Sequence, residues 1–229
     1  MISKKEFSKN LLSVKQQIDR ACHKFGRSAE EITLLPVTKN WPVDAVTMCA
    51  DNGIKRVGEN RVQEAIEKMD NVSEIGFELI GHLQSNKAKF VVGKFTCIQS
   101  VDSMIILEKL GKFADNYQVT QPLLLQINAG NDPAKYGISI KETQAVLAMA
   151  LSIPSLRIDG FMAIAPYDPG NKDTARRCFA NLRALRDSME EKYNQPFPVL
   201  SMGMSGDLEE AIAEGSTMIR VGSALFGQR

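Results

Sequence analysis

"ITLLPVTK", residues 32–39, is a nearly continuous apolar run that ends in a lysine, and it decides the class of fold. Apolar side chains that follow one another without polar alternation are typical of a parallel strand covered on both faces. Seven further short runs rich in Val, Ile and Leu recur along the chain, separated by longer segments of helix-forming composition. They are IKRVGEN (54–60), FELIGHL (77–83), FTCIQSV (95–101), PLLLQIN (122–128), LRIDGFMA (156–163), FPVLSMG (197–203) and STMIRVG (216–222).

Eight such βα units in 229 residues predict an α/β protein with a single domain, residues 1–229, folded as a (β/α)8 TIM barrel. The segment after the eighth run, GSALFGQR, leaves room for little more than one helical turn, so the last outer helix is missing. Apolar positions from Phe7 to Cys22 recur at helical spacing, and we expect this N-terminal helix, residues 4–25, to close the outer ring. The alternative is an open doubly wound sheet, which also binds ligands at the carboxyl ends of its strands.

The composition narrows the possible partners. With 28 basic and 27 acidic residues, the chain has no net field that attracts nucleic acid or an anionic membrane. Four scattered cysteines and two histidines lack the spacing of a zinc site, so no metal is expected. The N-terminus is charged and no apolar run reaches the length of a membrane span. We therefore expect a cytoplasmic protein, and in the absence of an apolar surface stripe in the sequence we expect a monomer.

Polar or unusual residues follow the predicted strands at the point where each strand ends, and in a barrel the carboxyl ends of the strands carry the chemistry. Residues scattered along most of the chain should therefore converge on one rim. They are Lys39, Glu59, Asn60, His82, Gln84, Asn128, Met162, Ala163, and the segments 201–205 and 220–223.

Lys39 is the first of these candidates. Burial and nearby positive charge lower the pKa of a lysine, and the neutral amine that results attacks carbonyls to form a Schiff base. The alternative is an ordinary lysine whose side chain extends from the strand end into solvent. The residue by itself does not decide between them.

Two turns near the C-terminus have the composition of anion sites. In SMGMSGDLEEAIAEG, residues 201–215, Ser205, Gly206 and Asp207 precede a helix and favour a phosphate, although an ordinary helix cap has the same composition. In STMIRVGSALFG, residues 216–227, Gly222 and Ser223 offer backbone N–H groups and a hydroxyl after the next strand. Phosphate sites after strands seven and eight recur among barrels, so the two turns together are more specific than either alone.

Arg220 lies inside the last apolar strand and requires an acceptor. One interpretation is a structural ion pair within the barrel, with Glu59 as a possible partner. The other follows from Lys39 and the two turns, because an aldehyde-reactive lysine opposite a phosphate cradle describes a site for pyridoxal 5′-phosphate. A sugar-phosphate aldolase with a Schiff-base lysine fits the same outline, and Arg220 is the residue that discriminates between the two.

The sequence resembles the pyridoxal phosphate homeostasis protein family, which is related to the barrel domain of alanine racemase. The resemblance rests on ordered blocks between about residue 32 and residue 227. The main ones are LLPVTK (34–39), VGENRVQEA (57–65), LIGHLQSNK (79–87), GFMAIAP (160–166), LSMGMSGDLEEAI (200–212) and GSTMIRVGSALFG (215–227).

The resemblance implies a type III pyridoxal phosphate fold, a TIM-like barrel that lacks the second domain of alanine racemase. It implies that Lys39 holds the cofactor as a Schiff base and that Arg220 faces the pyridine nitrogen. It also implies two further groups of cofactor-binding residues. Those at the phosphate are Ser205, Gly222 and Ser223, and those that line the pocket are Asn60, His82 and Met204.

By the same resemblance the protein acts in intracellular pyridoxal phosphate homeostasis, by buffering or delivery, with indirect effects on amino and keto acid pools. Apoenzymes that need the cofactor are then candidate transient partners, and no catalytic activity is established. The alternative is a low-activity amino acid racemase, which needs a base on each face of the α-carbon. Lys39 can serve one face, and Tyr136 is the nearest candidate for the other, although it aligns poorly with that role. Asn40 and Trp41 depart from the smaller residues familiar after the lysine, and Trp41 is expected to narrow the mouth.

Overall fold

The computed structural model describes residues 2–168 and 170–227, and within them eight short strands run parallel to one another. Each strand overlaps one of the eight apolar runs, so the prediction of eight strands is confirmed. Their bounds are β1 Thr33–Pro36, β2 Arg56–Glu59, β3 Gly76–Leu79, β4 Cys97–Val101, β5 Gln121–Gln126, β6 Leu156–Met162, β7 Val199–Ser201 and β8 Met218–Val221.

The strands form a nearly closed barrel. Neighbours pair in sequence order from β2 to β8, and β8 then pairs with β1, where Leu35 lies opposite Arg220. Between β1 and β2 the pairing narrows to a bridge of Val37 and Gly58, where the Thr38 N–H donates to the Gly58 carbonyl at 3.0 Å. Because the first strand pairs with the last, the TIM barrel is confirmed and the open doubly wound sheet is wrong.

Helices follow the strands and cover the barrel. Their bounds are α1 Lys4–Lys24, α2 Val43–Asp51, α3 Val62–Met69, α4 Ala88–Val91, α5 Met104–Tyr117, α6 Thr143–Leu151, α7 Lys172–Tyr193, α8 Leu208–Ala213 and α9 Ser223–Phe226. Among the helices of the described ranges, none is both long enough and apolar enough to cross a membrane.

The helix before the first strand takes the place of the missing last one. Helix α9 is a single turn, and α1 packs against both α8 and α9, so the expectation that the N-terminal helix closes the ring is confirmed. Ser3 caps α1, since its hydroxyl accepts the Glu6 N–H at 3.2 Å. On the buried face of α1, the Phe7 ring stacks on Phe226 of α9 with centroids 5.3 Å apart. The helix is therefore anchored at the end of the barrel that carries α9.

A chain of buried polar side chains crosses the interior of the barrel. Arg220 Nη1 donates to Ser201 Oγ at 2.7 Å, and Ser201 Oγ donates to Gln99 Oε1 at 2.6 Å. Gln99 Nε2 in turn donates to the Glu78 carboxylate, whose other oxygen lies 2.8 Å from Arg56 Nη1. Because β4 and β7 are not neighbours, the bond between Gln99 and Ser201 spans the barrel. Burial raises the pKa of Glu78, against the opposing effects of Arg56 and Gln99.

The raised pKa of Glu78 predicts a pH-dependent effect of Glu78→Gln. A carboxyl whose folded pKa lies above its unfolded value stabilises the fold fully below the unfolded pKa and loses that contribution as pH rises through the folded pKa. Glutamine does not titrate, so we expect the unfolding free energy of the variant, relative to the wild type, to increase as pH is raised from about 4 to about 8. Urea denaturation at a series of pH values measures it. Exposed Glu74→Gln is the control, and a flat or falling difference for Glu78→Gln contradicts the prediction.

Candidate functional site

A cavity of about 600 Å³ lies at the carboxyl ends of the strands, within the size range of small-molecule sites. Seven of the eight residues predicted for the site line it. They are Lys39, Asn60, Met204, Ser205, Arg220, Gly222 and Ser223. The barrel therefore brings together side chains that are separated by up to 184 positions in the sequence, from Lys39 to Ser223.

His82, the eighth predicted residue, lies outside this lining. It borders an adjoining cavity of about 430 Å³ that shares Asn60 with the first. Its ring stacks on Tyr136 with centroids 4.1 Å apart, and its Nδ1 lies 2.8 Å from Asp102 Oδ2. Tyr136 is 62% exposed and lines neither of these two cavities, so the tyrosine considered as a second base packs on His82 instead.

Lys39 lies just beyond β1, in the segment that leads into α2. The strand ends at Pro36, Val37 forms the bridge to Gly58, and Lys39 itself is half-buried at the edge of the cavity. Asn40 follows with φ 60°, a left-handed conformation that asparagine tolerates better than most residues. Trp41 also lines the cavity and packs against Phe226, with ring centroids 5.9 Å apart. The lysine is thus placed on the cavity wall by a sharply turned backbone.

Hydrogen-bond donors cluster where β7 and β8 end. Ser223 Oγ lies 3.5 Å from Ser205 Oγ, although the two residues follow different strands. Within the described part of the chain, the backbone N–H groups of Ser205, Gly206, Gly222 and Ser223 donate to no acceptor. Such a cluster of hydroxyl and N–H donors suits an anion. Helices α8 and α9 have only six and four residues, so hydrogen bonding rather than a helix dipole is what the cluster offers.

The turn that presents Ser205 is fixed by its neighbours. Gly203 has φ 97°, and a Cβ at that position would collide with Ala211 of α8. Asp207 Oδ1 accepts the Met204 N–H at 2.5 Å and closes the turn on its other side. Burial raises the pKa of Asp207, while the bond from Met204 and the charge of Arg220 oppose the rise. Contacts on both sides of Ser205, at Gly203 and at Asp207, therefore fix the conformation of this turn.

Arg220 is 3% exposed and is held by oxygen atoms of neighbouring strands. Nη1 donates at 2.7 Å to both the carbonyl and the hydroxyl of Ser201, and Nη2 donates to the Ala163 carbonyl at 2.9 Å. Burial lowers the pKa of Arg220 to about 10, with Asp207 opposing, so the group remains a cation at neutral pH. Nε and one hydrogen of Nη2 have no acceptor in the described ranges and can donate to a group in the cavity.

The interpretation of Arg220 and Glu59 as an ion pair is wrong. Glu59 is fully buried, and its Oε1 accepts instead from Lys68 Nζ and from Thr38 Oγ1, both at 2.6 Å. The physical reason is the barrel order: β8 lies beside β1 and β7, whereas Glu59 on β2 lies beneath helix α3, which carries Lys68. Lys68 is therefore the cation beside Glu59, whereas Arg220 donates to two carbonyl oxygens and the Ser201 hydroxyl.

The apolar walls of the cavity were not predicted. Val37, Ile80 and Ile164 line it one or two residues beyond the ends of β1, β3 and β6. All three belong to apolar runs or blocks quoted above, but an apolar side chain at a strand end has the same sequence signal as a core residue. Their lining role follows only from the exact length of each strand.

The cavity combines an amine, a cluster of anion-binding donors, a fixed guanidinium and apolar walls. The amine can bond covalently to a carbonyl, and the guanidinium can donate to a ring nitrogen or oxygen. Together these groups can hold a flat aromatic aldehyde that carries an anionic substituent. The described lining holds no carboxylate and no imidazole, so the Lys39 amine, in its neutral form, is the side chain there that can act as a base.

Comparison with known proteins gives consistent matches along the chain. The family model described as "Alanine racemase, N-terminal domain" matches residues 13–229. The pyridoxal phosphate homeostasis protein of Aquifex aeolicus (strain VF5) is 36% identical over 221 residues, which cover 96% of each chain. PipY of Synechococcus elongatus PCC7942, solved with PLP bound, is 32% identical with a TM-score of 0.84, over 96% of this chain and 100% of PipY.

A more distant structure extends the likeness of fold. Alanine racemase of Clostridium difficile 630 superposes with a TM-score of 0.82 at 15% identity. The match covers 98% of this chain and 57% of the racemase chain. At that identity the likeness concerns the barrel alone.

Proposed function

This chain belongs to the pyridoxal phosphate homeostasis protein family, and from that membership we propose that it binds pyridoxal 5′-phosphate as a Schiff base on Lys39. Its role is then to buffer or deliver the cofactor in vitamin B6 homeostasis, as one cytoplasmic domain of residues 1–229. The observation that carries the proposal is the convergence of Lys39, the donors after β7 and β8, and Arg220 on one cavity.

The residues present fit this cofactor part by part. Lys39 offers the amine for the aldehyde, and Ser205, Gly222 and Ser223 offer hydroxyl and N–H donors for the phosphate. Arg220 is held so that two of its N–H groups remain, either of which can donate to the pyridine nitrogen. When bound, the cofactor supplies an electron-withdrawing ring conjugated to its imine. Ile80 and Ile164 provide apolar surface for that ring.

The remaining predicted residues have supporting positions. Asn60 lies between the main cavity and the adjoining one, and Met204 borders the phosphate donors. His82 lies in the adjoining cavity, which shares Asn60 with the main one, and its ring stacks on Tyr136. We keep these three residues in the proposed site as lining groups.

The geometry favours a carrier over an enzyme. A ring nitrogen that faces a permanent cation does not readily take up a proton, which makes the ring a weaker electron sink and disfavours transamination. Racemisation needs a second base, and the described lining offers none besides Lys39. We therefore propose that transient contacts with apoenzymes, made by a monomer, link the protein to amino and keto acid pools.

Titration with pyridoxal 5′-phosphate tests the function and the phosphate cradle together. We expect the wild type to take up one equivalent with a new imine absorption band. The double variant Ser205→Ala/Ser223→Ala should keep the band but bind roughly 100-fold more weakly, because it loses two hydroxyl donors to a charged group at about 1.5 kcal/mol each.

The control for this titration is Ser13→Ala/Ser73→Ala, which removes the hydroxyls of two exposed residues that do not line the cavity and should leave the affinity unchanged. A wild-type protein that stays colourless and takes up no cofactor refutes the proposed function. If Ser205→Ala/Ser223→Ala binds the cofactor as tightly as the wild type, the phosphate lies elsewhere in the cavity.

A further inference from the structure

Lys68 of helix α3 is a buried lysine with three hydrogen-bond acceptors. Its side chain is 7% exposed, and Nζ donates to the Thr38 carbonyl at 2.8 Å, to Glu59 Oε1 at 2.6 Å and to Glu64 Oε1 at 2.8 Å. An ammonium group has three N–H donors, so Lys68 has no donor left for a ligand. Its role is that of a fixed cation that ties together β2, α3 and the segment after β1.

This cluster forms hydrogen bonds with the residues on both sides of Lys39. Thr38, which precedes the lysine, is bound twice, through its carbonyl to Lys68 and through its hydroxyl to Glu59 Oε1 at 2.6 Å. Asn40, which follows it, donates its backbone N–H to the Glu64 carboxylate. The same carboxylate oxygen of Glu64 accepts from Lys68. One ionic cluster therefore holds the residues immediately before and after Lys39.

This fixation matters because the sheet itself holds Lys39 only weakly. Within the described ranges beyond Pro36, a single bridge, between Val37 and Gly58, links the first strand to the second. Asn40 also has the left-handed φ of 60°, a conformation that persists when surrounding contacts determine it. The bond from Asn40 to Glu64 is such a contact. Without it the turn keeps the bond from the Trp41 N–H to the Thr38 carbonyl at 3.0 Å but loses its link to helix α3 through Asn40.

We propose that Glu64, together with Lys68 and Glu59, positions Lys39 for reaction with the aldehyde of the cofactor, an inference that rests on the function proposed above. These three are positioning residues, since none of them is needed to touch the cofactor. Reaction requires the amine to approach the carbonyl carbon within a narrow range of distance and direction. Fixing the backbone on both sides of the lysine limits the orientations that its side chain samples.

Glu64→Ala tests the inference with little risk to folding, because the pair of Lys68 and Glu59 and the bond to Thr38 remain. Two probes separate positioning from binding. Pyridoxal 5′-phosphate reports the rate of imine formation by absorbance. Pyridoxine 5′-phosphate has the same ring and phosphate but an alcohol in place of the aldehyde, so it reports binding alone.

We expect Glu64→Ala to slow imine formation about tenfold, the effect of one hydrogen bond to a charged acceptor, and to leave the affinity for pyridoxine 5′-phosphate within about twofold of wild type. Glu64→Gln should restore most of the rate, because the amide oxygen can still accept the Asn40 N–H. Glu67→Ala is the matched control, since Glu67 lies one turn along the same helix and its carboxylate has no partner in the described ranges.

Equal rates for Glu64→Ala and the wild type overturn the inference. Equal losses with both probes also overturn it, because they indicate a general structural role. A wild-type protein that binds pyridoxine 5′-phosphate but forms no imine overturns the proposed function at Lys39, and the inference with it. A wild type that reacts while its Glu64 variants react equally well leaves the function intact and removes only the positioning role.

Discussion

Lys39→Ala is expected to abolish covalent capture of pyridoxal 5′-phosphate while leaving the barrel folded. The side chain is half-buried at the cavity edge, and the backbone around it is held through Thr38 and Asn40, so its loss removes little packing. The variant keeps the hydroxyl and N–H donors and Arg220, so it should still bind the cofactor without a covalent bond. Its absorbance should be that of the free aldehyde.

Reduction with borohydride followed by peptide mapping measures this directly, because it converts an imine into a stable secondary amine on the lysine that carried it. We expect one modified peptide in the wild type, containing Lys39, and a loss of at least about 100-fold in Lys39→Ala. Exposed Lys55→Ala is the control and should be labelled like the wild type. Labelling of another lysine in the wild type would assign the amine elsewhere.

Lys68→Met is expected to have the largest effect on stability. It leaves the fully buried Glu59 without its cation, and in the described structure Glu59 Oε2 already has no hydrogen-bond partner. Removal of one member of a buried ion pair costs about 3 to 5 kcal/mol. For a chain of this length, that corresponds to a fall in Tm of roughly 6 to 20 °C, measured by thermal denaturation.

The double variant Glu59→Gln/Lys68→Met distinguishes charge from packing. It removes both charges, so it should recover a large part of the lost stability. Exposed Lys109→Met is the control for the loss of a lysine and should change Tm little. A double variant as unstable as Lys68→Met would show that packing around the lysine, rather than an orphaned carboxylate, causes the loss.

The sequence was sufficient for the architecture but overestimated the length of several strands. All eight apolar runs contain strands, since continuous burial on both faces leaves a clear signal. The run ITLLPVTK nevertheless contributes a strand of only four residues, Thr33–Pro36. The remainder leaves the ladder at the seam between β1 and β2, where pairing reduces to one bridge. How far β1 extends depends on its pairing with the neighbouring strand, and the composition of the run itself does not show this.

The candidate site was predictable where a residue type is unusual for its position, and not otherwise. Lys39 and Arg220 stand out because a charge at the end of an apolar strand needs a reason. Glu59 was one possible partner of Arg220 by sequence, and the actual partner of Glu59, Lys68, was missed because a lysine on a helix has the sequence signal of a solvent-exposed residue. Whether a lysine is buried depends on which helix covers which strand, and that information is tertiary.

The stacked rings of Phe7 and Phe226, with Trp41 beside them, join the N-terminal helix to the wall of the cavity. Trp41 is also the only tryptophan in the chain. The tryptophan fluorescence of the protein therefore comes from a single indole, which packs on Phe226 of α9 and borders the space proposed for the cofactor. Changes in its emission can therefore report on the cavity wall, both when a ligand binds and when the packing against Phe226 changes, without an added fluorescent label.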